Sequence, residues 1–315
     1  MTVLGLVAGL ILLAVGGDVL VRGAVAAAER MGISPLLAGL VIVGFGTSTP
    51  ELVTSLFAAF EGAPGIAVGN VVGSNIANIL LILGASALLV PLNVERAAFA
   101  RDGTALALFT AACAAAILHG TLSRSIGAAL LVLLVVYIVN AYRSERRPAS
   151  ETAMREHLAQ DSAPKTAPNL AFALTLSIGG IAMTILGARL LVDAAIAIAS
   201  DFGVSEAVIG LTVVAVGTSL PELAACLVAV YRRHADVAIG NVVGSNIYNV
   251  GGILGMTALI HPIDVPASMA RLDVWVLVGV AAALLVFLRT GWRLNRIEGG
   301  VFVAAYAGYL FTLLA

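Results

Sequence analysis

Glu51 and Glu222 are the residues of this chain best placed to do chemistry, because each is an acidic side chain inside otherwise apolar sequence. They occupy matching positions in the segments GTSTPEL and GTSLPEL, which lie 171 residues apart. Ionisable groups inside apolar, membrane-length segments are costly and commonly mark the path of an ion or substrate. A duplicated pair of such carboxylates predicts a transport site for a cation.

Hydroxyl groups accompany each glutamate. Thr47 and Ser48 precede Glu51 by four and three residues, so on a helix the three side chains share one face. Pro50 has no N–H and its ring displaces the carbonyl of Gly46, which predicts free backbone oxygens at the same place. Oxygen donors of this kind suit Na⁺ or Ca²⁺ rather than Zn²⁺ or copper. The second copy repeats the arrangement with Thr218, Ser219, Pro221 and Glu222.

A second duplicated motif, GNVVGSN, follows each glutamate and begins at Gly69 and Gly240. Its glycines, four residues apart, favour close helix packing. Packing alone does not require the polar residues of the motif, which are unfavourable in lipid unless they face a polar cavity. We therefore expect close packing combined with amide ligands, and the asparagines 27 residues after each glutamate extend the same site. The polar residues concerned are Ser74, Asn75 and Asn78, with their copies Ser245, Asn246 and Asn249.

The composition indicates an integral membrane protein, since 60% of residues are hydrophobic, 11% are charged, and the mean hydropathy is +1.05. The net charge of −1 gives no indication of nucleic-acid binding, and the two cysteines lie within apolar segments, which argues against a disulfide framework. A membrane helix needs about 20 mostly apolar residues. Ten segments meet this requirement: 3–27, 34–60, 65–90, 103–119, 124–141, 169–199, 205–230, 237–260, 272–289 and 297–314.

The hydrophilic stretch 143–168 divides the chain into two halves, 1–142 and 169–315. Residues 44–84 and 215–255 align without a gap and are identical at 21 of 41 positions. Five crossings per half force the second copy to lie upside down relative to the first. The sequence therefore predicts an all-α membrane protein of ten helices in two inverted five-helix repeats, with broken helices 2/3 and 7/8 around a midplane ion site.

Lysine and arginine residues predict the orientation, because short cytoplasmic loops are enriched in them. With the N-terminus outside, fourteen of these residues fall on the cytoplasmic side and three on the other. Both termini are then extracytoplasmic and the linker 143–168 is cytoplasmic. The short linker favours a prokaryotic plasma (inner) membrane.

A buried ion pair is the structural alternative for the two glutamates. The intramembrane arginines have nearer partners, however, because Asp18 and Arg22 are spaced i, i+4, and so are Arg189 and Asp193. We expect these two pairs to be structural and to leave the glutamates without a cationic residue of their own.

Both motifs, GTSxPE and GNxxGSNxxN, are duplicated here, and with the ten-span arrangement the chain resembles the cation/calcium exchanger superfamily, specifically its sodium/calcium exchanger branch. The resemblance covers essentially the whole chain. It implies a shared site for Ca²⁺ and Na⁺ whose central ligands are Glu51, Glu222, Asn78 and the carbonyl oxygens of Thr47 and Thr218. The flanking Na⁺ ligands that it implies are Ser48, Ser219, Ser74, Ser245 and the carbonyl oxygens of Gly44 and Ala215.

The resemblance also implies the activity: electrogenic Na⁺/Ca²⁺ antiport by alternating access, with Ca²⁺ extruded and no cofactor. Potassium-dependent members carry Asp where this chain has Asn249, which argues against K⁺ co-transport, and proton-coupled members have a different repeat. A Ca²⁺/H⁺ exchanger and a K⁺-dependent Na⁺/Ca²⁺ exchanger remain the alternatives. The expected partners are the transported ions and the lipid bilayer, with the chain acting as a monomer.

Two other classes of protein are less consistent with the residues. A cation channel could use the same oxygen-rich segments, but paired Pro-broken helices suit a site that closes on both sides. An intramembrane serine hydrolase would need a base, and all four histidines lie at span ends or in the linker. The sequence therefore predicts a transporter rather than an enzyme.

Overall fold

The structure is a computed structural model that describes residues 2–145, 169–202, 217–267 and 269–314. It is almost entirely helical, as the apolar composition predicts. Pro35 begins the second helix at its first position, where a missing N–H costs nothing, and the hydroxyl of Ser34 accepts a hydrogen bond from Leu37 N as its cap. The helices are α1 Thr2–Met31, α2 Pro35–Thr47, α3 Thr49–Phe60, α4 Pro64–Leu89, α5 Arg96–His119, α6 Arg124–Glu145, α7 Leu170–Asp201, α8 Leu220–Tyr231, α9 Ala235–Ile260, α10 Asp273–Gly291 and α11 Arg296–Leu314.

Seven of the described helices are long and apolar enough to cross a membrane, and the count is eight if α2 and α3, bent by 43°, form one span. The predicted spans coincide with helices wherever the structure describes them. Residues 203–216 lie outside the described residues, and they include the first twelve residues of the predicted span 205–230.

Two short strand pairs tie the turns together. Strand β1, Leu92–Asn93, pairs antiparallel with β4, Arg293–Leu294, and β2, Thr121–Leu122, pairs antiparallel with β3, Ile263–Asp264. The two pairs lie at opposite ends of α5, which is 24 residues long and therefore about 36 Å in length. We call the end that carries β1 and β4 the linker face, because α6 ends there at Glu145, and the other end the opposite face.

The long helices α1 and α7 pack with their backbones in contact. A Cβ atom at Gly180 of α7 would lie 2.6 Å from Leu20 Cα of α1, and one at Gly9 would lie 2.8 Å from the carbonyl oxygen of Gly187. Small residues allow this approach, which is the usual basis of helix association in lipid. Helices α4 and α9, which carry the two GNVVGSN motifs, are mostly buried at the centre of the molecule.

The two predicted Asp–Arg pairs have different outcomes. Arg22 and Asp18 form the expected ion pair at 3.0 Å, and Arg232, just after α8, also donates to Asp18, so that this carboxylate joins two helices. Arg189 and Asp193 form no ion pair in the described part of the chain, so that part of the prediction is wrong. Both are exposed, and i, i+4 spacing between exposed charges permits a pair without making it strongly favourable.

A charged cluster at the linker face fixes the ends of α5, α6 and α2. Arg101 contacts both oxygens of the buried Asp102, at 2.6 and 2.9 Å, and it also contacts Glu145 at 3.0 Å. The hydroxyl of Tyr137 donates to Asp102 at 2.9 Å. Glu145 in turn accepts hydrogen bonds from the backbone N–H and the hydroxyl of Ser34, at 2.7 and 2.8 Å, just before α2 begins.

Replacing Arg101 with glutamine is expected to lower the free energy of unfolding by about 3 kcal/mol, because Asp102 would be left buried without its cationic partner. Thermal unfolding of the purified protein in detergent, followed by intrinsic fluorescence, measures the effect. Arg143→Gln is the matched control, since Arg143 is exposed on the same helix as Tyr137 and Glu145. Equal unfolding temperatures for the two variants would contradict the structural role of Arg101.

Candidate cation site

Each glutamate lies in the first turn of a helix that starts at a break. Helix α2 ends at Thr47, Ser48 is non-helical with φ −79° and ψ 11°, and α3 restarts with Pro50 as its second residue. Glu51 follows directly, so the predicted site lies at a helix break rather than on one continuous face. The N-terminus of a helix carries partial positive charge, which favours a carboxylate there. Glu222 has the same position in α8, after a break at Ser219 with Pro221 as the second residue.

The segments that begin α3 and α8 meet at the glutamates. Both carboxylates are only 1% exposed, and the hydroxyl of Ser48 donates to Glu222 Oε1 at 3.1 Å, across the two halves of the sequence. No ion pair to Glu51 or Glu222 is present among the described residues. Buried carboxylates without a cationic side chain are costly unless a bound cation compensates them.

The asparagines of the second motif connect α4 and α9 with two-fold symmetry. Asn78 Nδ2 donates to Asn246 Oδ1 at 3.0 Å, and Asn249 Nδ2 donates to Asn75 Oδ1 at 2.9 Å. The side chains of Asn75 and Asn246 donate to each other's backbone carbonyls at 3.2 and 3.3 Å. These bonds use the side-chain N–H groups of the four asparagines. The side-chain oxygens of Asn78 and Asn249 have no hydrogen-bond partner among the described residues.

Asn78 and Asn249 are also the first residues of π-helical turns, Asn78–Leu83 and Asn249–Leu254. Such turns are rare and occur frequently at functional sites, because they widen the helix and redirect side chains. A third π-helical turn, Gly39–Gly44, ends at the residue whose carbonyl oxygen was predicted as a ligand.

Five oxygen atoms of the predicted site are buried and have no hydrogen-bond partner in the described part of the chain. Two are carboxylate oxygens, two are amide oxygens and one is a hydroxyl oxygen. The amide and hydroxyl oxygens are neutral, and no group of three or more histidine, cysteine, aspartate or glutamate side chains suitable for a metal ion occurs among the described residues. Such a set suits hard cations, which take six to eight oxygen ligands. The five atoms are Glu51 Oε2, Glu222 Oε2, Asn78 Oδ1, Asn249 Oδ1 and Ser219 Oγ.

The backbone oxygens expected near the glutamates, those of Gly44 and Gly46, both accept hydrogen bonds. The Gly44 carbonyl accepts a hydrogen bond from Ser245 Oγ at 3.2 Å, which brings two predicted residues from different halves together. The Gly46 carbonyl accepts from Thr49 Oγ1 at 2.8 Å, so the expectation that Pro50 leaves this oxygen free is wrong. The Gly44 carbonyl also accepts from Ser48 N at 3.3 Å and from the hydroxyl of Thr47 at 3.5 Å, so it is not a free oxygen in this structure.

The other predicted residues lie close to this centre. Thr47 is fully buried, with its hydroxyl donating to the carbonyl of Val43 at 3.0 Å. Ser74 and Thr218 line one cavity next to the glutamates. Ala215 lies outside the described residues.

Asn70 and Asn241 hold the glutamate-bearing helices, a role that the sequence analysis missed. Asn70 Nδ2 donates to the backbone carbonyl of Glu51 at 3.0 Å and to Ser55 Oγ at 2.9 Å. Asn241 Nδ2 makes the equivalent contacts with the Glu222 carbonyl at 3.3 Å and Cys226 Sγ at 3.1 Å. Both asparagines are the second residue of GNVVGSN, so their duplication was the signal available in the sequence.

Comparison with known proteins places this site in a family. A family model described as sodium/calcium exchanger protein matches residues 1–143 and 172–315. The chain belongs to the sodium/calcium exchanger family. Its relatives include sodium/calcium exchanger MaX1 of Methanosarcina acetivorans, which is 33% identical over 98% of this chain and 97% of its own length. A more distant one is the Ca²⁺/H⁺ antiporter ChaA of Bacillus subtilis, 27% identical over 86% of this chain and 81% of that protein.

The structure agrees with the same assignment. The solved sodium–calcium exchanger NCX_Mj superposes with a TM-score of 0.83 at 33% sequence identity, over 99% of this chain and all of that one. This exchanger is therefore a multi-pass membrane antiporter of the cation/Ca²⁺ class, and its family consists of transporters rather than enzymes.

Replacing Asn70 or Asn241 with alanine is expected to raise the half-saturating Ca²⁺ concentration of this exchanger about tenfold, because residues that orient a metal ligand matter nearly as much as the ligand. Initial rates of ⁴⁵Ca²⁺ uptake into membrane vesicles, measured over a range of Ca²⁺ concentrations, give this value. Asn140→Ala, at an exposed position of α6, is the control and should match the wild type. An unchanged half-saturating concentration in both motif variants would remove the positioning role.

Proposed function

We propose that this chain is a Na⁺/Ca²⁺ antiporter whose ion site lies between Glu51 and Glu222. The observation that carries the proposal is the set of buried oxygens without hydrogen-bond partners among the described residues, contributed by α3, by α8 with Ser219 just before it, and by α4 and α9. The similarity to sodium/calcium exchangers over almost the whole chain supports the same ions.

The ligands divide into a centre and two flanks. At the centre, the two carboxylates and the amide oxygens of Asn78 and Asn249 bind Ca²⁺, with help from the carbonyls of Thr47 and Thr218. Two ionised carboxylates balance the charge of one Ca²⁺. The flanking Na⁺ ligands are Ser48, Ser219, Ser74, Ser245 and the carbonyl oxygens of Gly44 and Ala215.

Exchange follows from competition for these oxygens. Ca²⁺ takes both carboxylates, whereas several Na⁺ ions share them with the neutral donors on each flank, so the two loads exclude each other. The protein then changes between its two open forms only when loaded, as alternating access requires. If more charge enters with Na⁺ than leaves with Ca²⁺, each net charge contributes about 2.3 kcal/mol per 100 mV of membrane potential. With the ordinary inward Na⁺ gradient, the direction of transport is Ca²⁺ extrusion.

We propose the finer architecture on the same basis. Residues 1–142 and 169–315 form two inverted five-helix repeats, joined by the linker 143–168. The strand pairs support this arrangement, because they place the turns after α4 and α10 on one face and those after α5 and α9 on the other. The arginine distribution assigns the linker face to the cytoplasm, with both termini outside and the chain in the plasma (inner) membrane.

Proton coupling is the second candidate, and the similarity to ChaA is the observation that favours it. The site itself offers no histidine among the described residues around the glutamates, and its donors are those of an alkali-cation site. Asn249, in place of an acidic residue, keeps the site at two carboxylates and disfavours K⁺ as a further ion.

Ca²⁺ counterflow in proteoliposomes tests the coupling ion. Outward gradients of Na⁺, K⁺ or H⁺ are imposed separately on vesicles that contain the purified protein, and ⁴⁵Ca²⁺ uptake is measured. The Na⁺ gradient alone should drive uptake, and an inside-positive potential should change its rate. Uptake driven by the H⁺ gradient alone would replace the proposal with Ca²⁺/H⁺ exchange, and flux without any counter-ion would indicate a channel.

A further inference from the structure

A cleft of about 400 Å³ extends from Ser74 and Thr218 of the candidate site to Asp273, whose helix begins at the opposite face. It lies between α3, α4, α10 and α11 and is also lined by Thr218, the residue before Ser219. Ser74, one of its lining residues, lies ten residues after Pro64, the first residue of α4. It is therefore about 15 Å from the N-terminal end of that helix. The polar side chains that line the cleft are Thr54, Asn70, Ser74, Thr218, Asp273, Tyr306 and Tyr309.

Asp273 is the only acidic side chain among the described residues that line this cleft, and it lies at the outer end. It is the first residue of α10 and is half-buried. The hydroxyl of Tyr309 donates to Asp273 Oδ1 at 2.9 Å, which fixes the carboxylate without supplying a cationic side chain. No ion pair to Asp273 occurs in the ranges that the structure describes, although Arg271 is close in sequence.

The repeat-equivalent residue on the linker face has a different environment. Asp102 precedes Asp273 by 171 residues and also accepts a tyrosine hydroxyl, from Tyr137 at 2.9 Å. Arg101 neutralises Asp102 through two contacts, whereas the residue equivalent to Arg101 is Leu272. Both copies therefore have the Asp–Tyr contact, but only the first copy has an arginine, Arg101, beside its aspartate.

We propose that Asp273 is an outer cation-binding residue, which captures Ca²⁺ or Na⁺ at the mouth of the cleft before the ion reaches the glutamates. The inference rests on the proposed function, because it assumes that cations travel to Glu51 and Glu222. A carboxylate in a cleft with low-dielectric walls concentrates cations and raises their rate of association. Tyr309 holds the carboxylate at the mouth, where it does not compete with the deeper site.

The test uses the full chain in membrane vesicles of both orientations, so that each face is supplied with ⁴⁵Ca²⁺ separately. Asp273→Asn should raise the half-saturating Ca²⁺ concentration at the opposite face about fivefold, with an unchanged value at the linker face and an unchanged maximal rate. The difference should shrink as choline chloride raises the ionic strength. Asp264→Asn is the matched control, since Asp264 is exposed on the same face in β3 and does not line the cleft.

A second variant covers the case in which Asp273→Asn fails to fold. Leu272→Arg supplies the neutralising partner that Asp102 has, at an exposed position, and it should cause the same one-sided increase while Asp273 stays in place. One-sided increases in either variant support the proposal. Equal changes at both faces, or no change in a folded variant, would overturn it. If the wild type itself shows no Na⁺-driven Ca²⁺ exchange, the proposed function fails first. The inference about Asp273 is then tested separately, and a rate of ⁴⁵Ca²⁺ association with the detergent-solubilised protein that does not change with Asp273→Asn overturns it as well.

Discussion

Glu51→Gln and Glu222→Gln are each expected to reduce Na⁺-driven ⁴⁵Ca²⁺ exchange roughly a hundredfold, to the level of empty vesicles. Each substitution keeps the shape of the side chain but removes half of the negative charge that balances Ca²⁺. The introduced glutamine also presents an N–H₂ group, which cannot bind a cation. The loss should therefore be similar for both residues, although they lie in different halves of the sequence.

Folding should survive these substitutions, because removing an unpaired buried charge relieves a desolvation cost. Size-exclusion chromatography and thermal unfolding in detergent check that the variants remain intact. Glu61→Gln is the control, since Glu61 ends the helix that carries Glu51 and is exposed. Retained Ca²⁺ exchange in both buried-site variants would place the ion site elsewhere.

Gly180→Leu is expected to abolish exchange and to lower the free energy of unfolding by about 3 kcal/mol. Any side chain at Gly180 meets the backbone of Leu20, with Cβ to Cα at 2.6 Å, so α1 and α7 must separate to accept it. Backbone atoms cannot yield as a flexible side chain can. Because this helix pair packs along the bent helices of the site, its separation should disturb transport as well as stability.

Gly179→Leu is the matched control for this effect. Gly179 is the neighbouring residue of α7, and a Cβ atom there has no described atom within 4 Å. Its variant should transport at the wild-type rate. If Gly179→Leu and Gly180→Leu behave alike in both uptake and thermal unfolding, the close contact between α1 and α7 has no special role.

The candidate site could be predicted from the sequence mainly because its motifs occur twice. Two apolar segments with one carboxylate each, repeated at a fixed offset, leave few alternatives for where polar chemistry occurs. The helix breaks were also predictable, because Pro50 and Pro221 cannot continue a helix without losing a hydrogen bond. Motif and periodicity therefore predicted distorted backbone beside each proline, but they placed Thr47, Ser48 and Glu51 on one helical face, whereas the structure has a break at Ser48.

The contacts between side chains of different helices could not be predicted in the same way, because they depend on which helices pack together. Asp18 and Arg22 pair as their spacing predicts, yet Arg232, 214 residues from Asp18, joins them. No role for Asn70 was predicted from the sequence, and the structure places its side chain against the Glu51 carbonyl. The π-helical turns at Asn78 and Asn249 have no local sequence signal comparable to proline.

Equilibrium binding of ⁴⁵Ca²⁺ to the purified protein, titrated with Na⁺, tests most directly the claim that both ions share one site between Glu51 and Glu222. We predict one Ca²⁺ bound per chain in the absence of Na⁺, complete displacement by Na⁺ with a Hill coefficient above one, and no Ca²⁺ binding to the Glu51→Gln/Glu222→Gln double variant. Choline at the same concentration should displace nothing. Ca²⁺ that stays bound at saturating Na⁺, or that binds equally to the double variant, would contradict the shared site.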